Sequence, residues 1–323
     1  MRRAFYGAGL LFAVSGAACQ PRLEQTWQLT DFRVLGVKVD PPEPDRGANV
    51  MTTLSWADVR DRSVSVLWLT CAVSVDSAGL AGGGSGGDAG TSANGLSGCT
   101  VVTPPGAPFP IPDMGTTVTV HIPDTGGARD ASNREVITLF GFACAGGTIG
   151  APEDGGTQPE CRGTGARGWS FTRTIRIHDP MSQDAPNTNQ HIREVRFGMA
   201  GSTMPITNDA PPTIPVCHDQ SSDSMCPRYV FEVAYDDGSR EMFHALDPND
   251  GGIVMRQERL TTGYVITAGE LGGAFRTDTA ENPMSNMQVS YRAPEMAGDV
   301  HLVVYSADGR GGYDATDRHI LVQ

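Results

Sequence analysis

Residues 229–235 read Tyr229-Val230-Phe231-Glu232-Val233-Ala234-Tyr235, and residues 287–291 read Met287-Gln288-Val289-Ser290-Tyr291. In both, large apolar side chains recur at every second position, the period of a strand with one face turned towards a core. Runs of this kind fill the chain. They span 32–39, 50–56, 64–71, 116–122, 135–143 and 169–178 in the first half, and 192–197, 240–244, 260–267, 300–306 and 318–322 in the second. Turn residues separate them, as in Asp40-Pro41-Pro42, Asp236-Asp237-Gly238 and Asp308-Gly309-Arg310-Gly311-Gly312. Helical spacing of apolar residues is nowhere sustained. Many short strands divided by turns predict an all-β chain folded as a sandwich or a barrel.

The totals agree. A chain of 323 residues fits two domains of ordinary size, and its 40 Gly and 22 Pro suit a protein of many turns. The net charge of −13 excludes nucleic acid as a natural partner, because a polyanion would be repelled. Lys38 is the only lysine. The two halves also follow one order. Each opens with a similar edge strand, Arg33-Val34-Leu35-Gly36-Val37 or Arg193-Glu194-Val195-Arg196-Phe197. Each then has a Pro pair, Pro41-Pro42 or Pro211-Pro212, and a central strand carrying Trp68 or Tyr264. This order reads as a divergent tandem duplication: domains at 31–179 and 191–323, joined by a linker at 180–190 rich in Asn and Pro.

The N-terminus carries an export signal. Arg2 and Arg3 precede a short apolar stretch, 4–14, too short to span a bilayer. Ser15-Gly16-Ala17-Ala18-Cys19 then resembles the lipobox of bacterial lipoproteins, which implies a signal peptide at 1–18, a lipid on Cys19 and a tether over 19–30. An ordinary secretory signal cleaved near Ala18 is the alternative. Once Cys19 is set aside, Cys71, Cys99, Cys144, Cys161, Cys217 and Cys226 form an even set in a compartment that permits disulfides. Six cysteines allow about 15 connectivities. The simplest is sequential, each bridge clipping one Gly- or Pro-rich loop.

Taken together, the Cys-ended signal, Arg33 to Pro42, the Trp68-Leu69-Thr70-Cys71 strand and the Asp308 to Gly312 hairpin resemble a recognisable group. These are uncharacterised surface lipoproteins of Gram-negative bacteria with Ig-like or PKD-like sandwich domains. The resemblance implies two tandem Ig-like β-sandwiches and an outer-membrane or cell-surface location, and it brings no catalytic residues. In an Ig-like domain, 64–71 would be strand C and 136–143 strand F, antiparallel neighbours whose C-terminal ends lie at opposite ends of the sandwich. That arrangement implies loop-local disulfides, with Cys71 and Cys144 too far apart to bridge.

Chemistry-bearing motifs fail on context. Gly83-Gly84-Ser85-Gly86-Gly87 fits G-x-S-x-G, but it sits in a Gly/Ser tract with no strand-to-helix turn. The histidines at 121, 178, 191, 218, 244, 301 and 319 form no zinc signature, and Cys217-His218-Asp219 begins with a cysteine assigned to a disulfide. The acidic loops holding Asp236, Asp237, Asp247 and Asp250 are weak calcium candidates, since the same residues are ordinary turn formers. The long loop from Cys144 to Gly168 is placed where sandwich domains carry binding sites, yet it lacks an aromatic before Trp169. The expectation is a non-enzymatic envelope lipoprotein without cofactor, a structural or interaction module held to the membrane by its lipid and facing an envelope protein or glycan. The rival expectation is a ligand-binding module, for carbohydrate or calcium.

Overall fold

The computed structural model describes residues 26–71, 99–102, 115–124, 128–130, 134–151, 159–218, 226–246, 251–277 and 287–323. The fold is all-β. The first half contributes β1 (Arg33–Asp40), β2 (Asn49–Ala57), β3 (Val64–Cys71), β4 (Cys99–Val101), β5 (Thr117–His121), β6 (Ala128–Arg129), β7 (Glu135–Ala145), β8 (Thr148–Gly150), β9 (Glu160–Arg162) and β10 (Arg167–Arg176). The second adds β11 (Ile192–Met199), β12 (Ser202–Pro205), β13 (Thr213–Ile214), β14 (Tyr229–Tyr235), β15 (Met242–Leu246) and β16 (Ile253–Gln257). It ends with β17 (Thr261–Ile266), β18 (Glu270–Leu271), β19 (Phe275–Thr277), β20 (Val289–Arg292), β21 (Gly298–Ala307) and β22 (Tyr313–Val322).

In the first sandwich, the sheet β1-β2-β5 faces the sheet β10-β7-β3-β4, with β6 paired to β7. In Ig lettering the orders are A-B-E and G-F-C-C′. Alternation decides what fills the gap. Val37, Val39, Val50, Leu54, Val120 and Ile122 point in from one sheet, and Val66, Trp68, Ile137, Leu139 and Ile175 from the other. Trp68 is fully buried and meets the Phe171 ring edge-on at 5.1 Å. Phe171 in turn lies over Gly141, its direct cross-strand partner, where a Cβ would fall inside the ring. That contact accounts for a glycine in mid-strand.

The second sandwich repeats the plan. The sheet β12-β11-β14-β20-β18 packs on β13-β22-β21-β17-β19, and β13 runs parallel to β22, as an A′ strand does to G. Phe197, Phe231 and Tyr291 form an aromatic cluster at the centre, with Phe231 4.9 Å from Phe197 and 5.3 Å from Tyr291. Each such side chain contributes about 1.5–3 kcal/mol by leaving water.

The structure differs from the sequence expectation in several places. Residues 193–197 do not form an edge strand, because β12 folds back and pairs along β11. Residues 240–244 do not enter the sandwich; β15 forms a separate hairpin with β16. The strands β3 and β7 are buried on both faces. Leu67, Leu69, Phe140 and Phe142 turn away from the main core into an outer cluster with Cys71, Cys99, Cys144 and Cys161. The sequence Val136-Ile137-Thr138-Leu139-Phe140-Gly141-Phe142-Ala143 is apolar apart from Thr138, the pattern of a strand covered twice.

The disulfides are Cys71–Cys99, Cys144–Cys161 and Cys217–Cys226. Cys71 stands opposite Thr138 and Cys144 opposite Ser65, so the two cysteines lie at opposite ends of the β3–β7 pair. Residues 26–29, at the end of the stretch expected as a tether, run beside β17. Leu29 N donates to Ile266 O at 2.8 Å, Ile266 N donates to Trp27 O at 2.9 Å, and Trp27 packs on the second core.

Candidate functional site at the seam between the sandwiches

The hairpin Asp308-Gly309-Arg310-Gly311-Gly312 joins β21 to β22. Its shape follows from one carboxylate. Asp308 Oδ1 accepts from the amides of Arg310 at 2.7 Å, Gly311 at 2.6 Å and Gly312 at 2.8 Å. A Cβ on Gly312 would collide with the Asp308 carboxylate and the Gln190 side chain, so only glycine fits there. The tight turn sends the Arg310 side chain into the seam, where it is 5% exposed.

Arg310 reaches three parts of the chain at once. Nη2 donates to Glu43 Oε2 at 2.9 Å and to Ala185 O at 3.1 Å. Nη1 lies 3.3 Å from Glu241 Oε2 and 3.4 Å from Glu258 Oε1, the latter outside hydrogen-bonding geometry. The guanidinium also sits 5.4 Å from the centre of the Phe243 ring. Glu43 belongs to the first sandwich and Ala185 to the stretch expected as a linker, while Glu241 and Glu258 flank the β15–β16 hairpin. One planar, five-donor group therefore ties all three together, a task suited to arginine and not to lysine.

Other contacts close the seam around it. From the first sandwich, Arg173 donates to Gly311 O and Arg176 Nη1 to Gly309 O at 3.1 Å. Asn187 N donates to Glu43 Oε2 at 2.9 Å, and Asn189 Nδ2 to Val39 O at 2.8 Å. Lys38 Nζ meets Asp314 Oδ1 at 2.9 Å. Beside this polar zone, Leu29, Leu35 and Ala57 pack on Val265, Val303 and Tyr305, and the Tyr313 ring covers Gly36. The stretch 180–190 is thus built into the contact, with Asn187 and Gln190 each 1% exposed.

Immediately around Arg310 carboxylates outnumber cations, since its one guanidinium faces Glu43, Glu241 and Glu258. Burial, with the charge of Asp308 adding to it, pushes the Glu258 carboxyl up to about 7 from 4.5, against the opposing Glu241 amide and Arg310. Between those two values the folded protein holds a proton that the unfolded chain releases. Stability contributed by this group is therefore complete below pH 4.5 and declines as pH rises through about 7. The limit for a shift of this size is about 3 kcal/mol. Chemical denaturation at pH 5 and pH 8 should show that decline, and Glu258→Gln should flatten it. An unchanged slope in the variant would assign the pH dependence to another group.

A polar cleft of about 400 Å³ opens beside the clamp, lined by Glu43, Arg46, Arg129, Arg134, Glu135, His178, Asp179, Asp184 and Arg310 among others. Arg46 and Glu135 pair across it. Its described lining contains no Phe, Tyr or Trp.

No family model and no curated protein matches the sequence. Solved structures give distant likenesses only. The D00-D0 domain of intimin is 9% identical, with a TM-score of 0.22, 89% of this chain covered and 100% of that one. The Escherichia coli alpha-2-macroglobulin activated by porcine elastase is 10% identical, with a TM-score of 0.23 over 93% of this chain and 22% of that one. The two tandem V-type regions of VCBP3, a v-region-containing chitin binding protein, are 11% identical, with a TM-score of 0.24 over 90% and 100%. At such scores the likenesses say nothing of what this chain binds.

The residues singled out in the sequence scatter. Cys19, Asp247, Asp250 and the glycine tract 83–87 lie outside the described residues. Asp236 and Asp237 are exposed, and the neighbour of Asp236 is His191 Nδ1 at 3.1 Å, a ring nitrogen rather than the oxygen donor that calcium takes. The described part of the loop from Cys144 to Gly168 holds the β8–β9 hairpin, pinned by the Cys144–Cys161 bridge. Sequence reasoning missed the clamp entirely, because Glu43 and Arg310 are 267 positions apart. It also missed a group on the outer face of β21 and β22, where Asp299, His301 and His319 converge.

Proposed function

We propose that the chain is a non-enzymatic module of the bacterial cell envelope, exported, lipid-anchored through Cys19, and presenting its two sandwiches as one stiff unit to an envelope protein or glycan. The observation that carries this reading is the buried Arg310 clamp. Inter-domain contacts within a chain are usually loose and permit relative motion. Here a guanidinium 5% exposed binds Glu43 of the first sandwich and Glu241 of the second, with an apolar contact beside it. A fixed spacing between two sandwiches serves a spacer or an interaction surface. The three disulfides and the Ala17-Ala18-Cys19 signal support export and anchoring.

The rival of a carbohydrate- or calcium-binding module draws only on the cleft, whose described lining offers no ring on which a sugar could stack. Intact mass of the chain recovered from membranes tests the proposal. The expected species begins at Cys19, carries a diacyl or triacyl adduct, and gains about 6 Da on reduction, two hydrogens for each bridge. Proteinase added to intact cells should digest it. An unlipidated chain would overturn the anchor, and full protection would overturn the surface location.

A further inference from the structure

We propose that Asp299, His301 and His319 form a binding site for a first-row divalent transition-metal ion of the zinc class. The site arises from strand geometry. His301 of β21 and His319 of β22 are direct cross-strand partners, so both rings leave the same face of the sheet, with centres 4.0 Å apart. Asp299 lies two residues before His301 and therefore shares that face. Inward neighbours Val300, Leu302 and Ile320 are buried in the core, which fixes the outward direction of the three polar side chains.

The donor atoms suit such an ion. Asp299 Oδ2 lies 3.2 Å from His301 Nε2 and 3.0 Å from His319 Nδ1, and the three ligand atoms all lie within 4.8 Å of one another. Zinc bonds of about 2.0–2.1 Å at tetrahedral angles place neighbouring donors about 3.4 Å apart, so only small side-chain adjustments separate this trio from a coordinating set. Two imidazoles and one carboxylate also discriminate between metals. Calcium and magnesium prefer oxygen throughout, whereas imidazole selects zinc, copper, nickel and cobalt.

A second Asp-x-His strengthens the assignment. Asp317 precedes His319 as Asp299 precedes His301, and Asp317 Oδ2 lies 3.9 Å from His319 Nε2. With Nδ1 turned to Asp299, the other ring nitrogen of His319 faces a carboxylate that would orient it, the usual arrangement behind a metal-bound histidine. His301 is held through its backbone, its amide donating to Thr267 Oγ1 at 3.0 Å and its carbonyl accepting from Thr267 N at 3.0 Å. Three protein ligands leave at least one coordination position open on an exposed surface, available to water or to a donor from a bound partner.

The test is calorimetric titration of the untagged, fully oxidised chain with zinc and cobalt chlorides, so that neither a histidine tag nor a free thiol competes. The expected result is one ion per chain, with cobalt giving the visible absorption bands of a low-coordinate site. His301→Asn and His319→Asn should each weaken binding at least about tenfold to a hundredfold, and Asp317→Asn, a positioning residue, about tenfold. All three positions face outward, so the variants should melt as the parent does. Absence of stoichiometric binding at millimolar zinc would overturn the proposal. Binding that is unchanged in both histidine variants would overturn it equally.

Discussion

Replacing Arg310 by alanine lowers the unfolding free energy by about 3–5 kcal/mol and splits one denaturation transition into two. The magnitude follows from what remains behind. In the seam, Glu43 and Glu258 have side chains 9% and 2% exposed, and Glu241 is 22% exposed. Without the guanidinium these carboxylates keep their burial and lose their cation, which is the expensive way to break a buried ion pair. The second effect follows from the two separate cores, one around Trp68 and one around Phe231 and Tyr264. They unfold together only as long as the seam couples them. Arg310→Met distinguishes charge from packing, since it keeps the contact with Phe243 and still leaves the carboxylates unpaired. Arg310→Lys restores the charge but replaces the two nitrogens that reach Glu43 and Glu241 by one on a shorter side chain, and so rescues only part of the loss. Differential calorimetry with small-angle scattering reads both outcomes. A single transition shifted by less than about 1 kcal/mol would mean that the apolar patch of Leu29, Ala57 and Val265 holds the sandwiches together without the clamp.

Legibility in the sequence tracks how local the cause is. The run 229–235 alternates because one face of β14 meets the core, and its bounds can be read directly. The same holds for 64–71, although there the sequence reading assigns one buried face where the structure has two, Trp68 turning to the core and Leu67 and Leu69 to the outer cluster. Two-residue and three-residue strands such as β13, β18 and β19 escape because so few positions carry no period. The seam is the opposite extreme. Glu43 sits between prolines and Arg310 between glycines, so each reads as a turn residue, and only the finished fold brings them within 2.9 Å. The His301 and His319 pair was closer to legible. Asp299-Val300-His301 and Asp317-Arg318-His319 repeat a pattern within adjacent predicted strands, and strand phase puts both histidines outward. What the sequence withholds is the register that sets one histidine opposite the other.

Removing the Cys71–Cys99 bridge by double alanine substitution should lower stability by about 3–4 kcal/mol, more than removal of either other bridge. Cys71 and Cys99 are 28 positions apart, Cys144 and Cys161 are 17, and Cys217 and Cys226 are 9. In the chain-entropy argument these separations correspond to about 3.6, 3.1 and 2.6 kcal/mol, because the longer loop regains more freedom when the unfolded chain is released. Packing follows a different order, because Cys217 and Cys226 are both buried in the second core, whereas Cys99 and Cys161 are only partly buried. Cys71 and Cys144 are buried in the outer cluster with Leu69 and Phe142, so alanine there also leaves a small void. Guanidinium unfolding of the three double variants separates the two contributions. If the loss arises in the unfolded state, the denaturant slope rises with the size of the loop set free, since a less constrained chain exposes more surface. If it arises from packing, the slope stays constant, and the Cys217–Cys226 variant, with both cysteines buried, falls at least as far as the other two regardless of loop length. A Cys71–Cys99 variant as stable as the parent would contradict both and would mean that the bridge closes over a loop already confined in the unfolded chain.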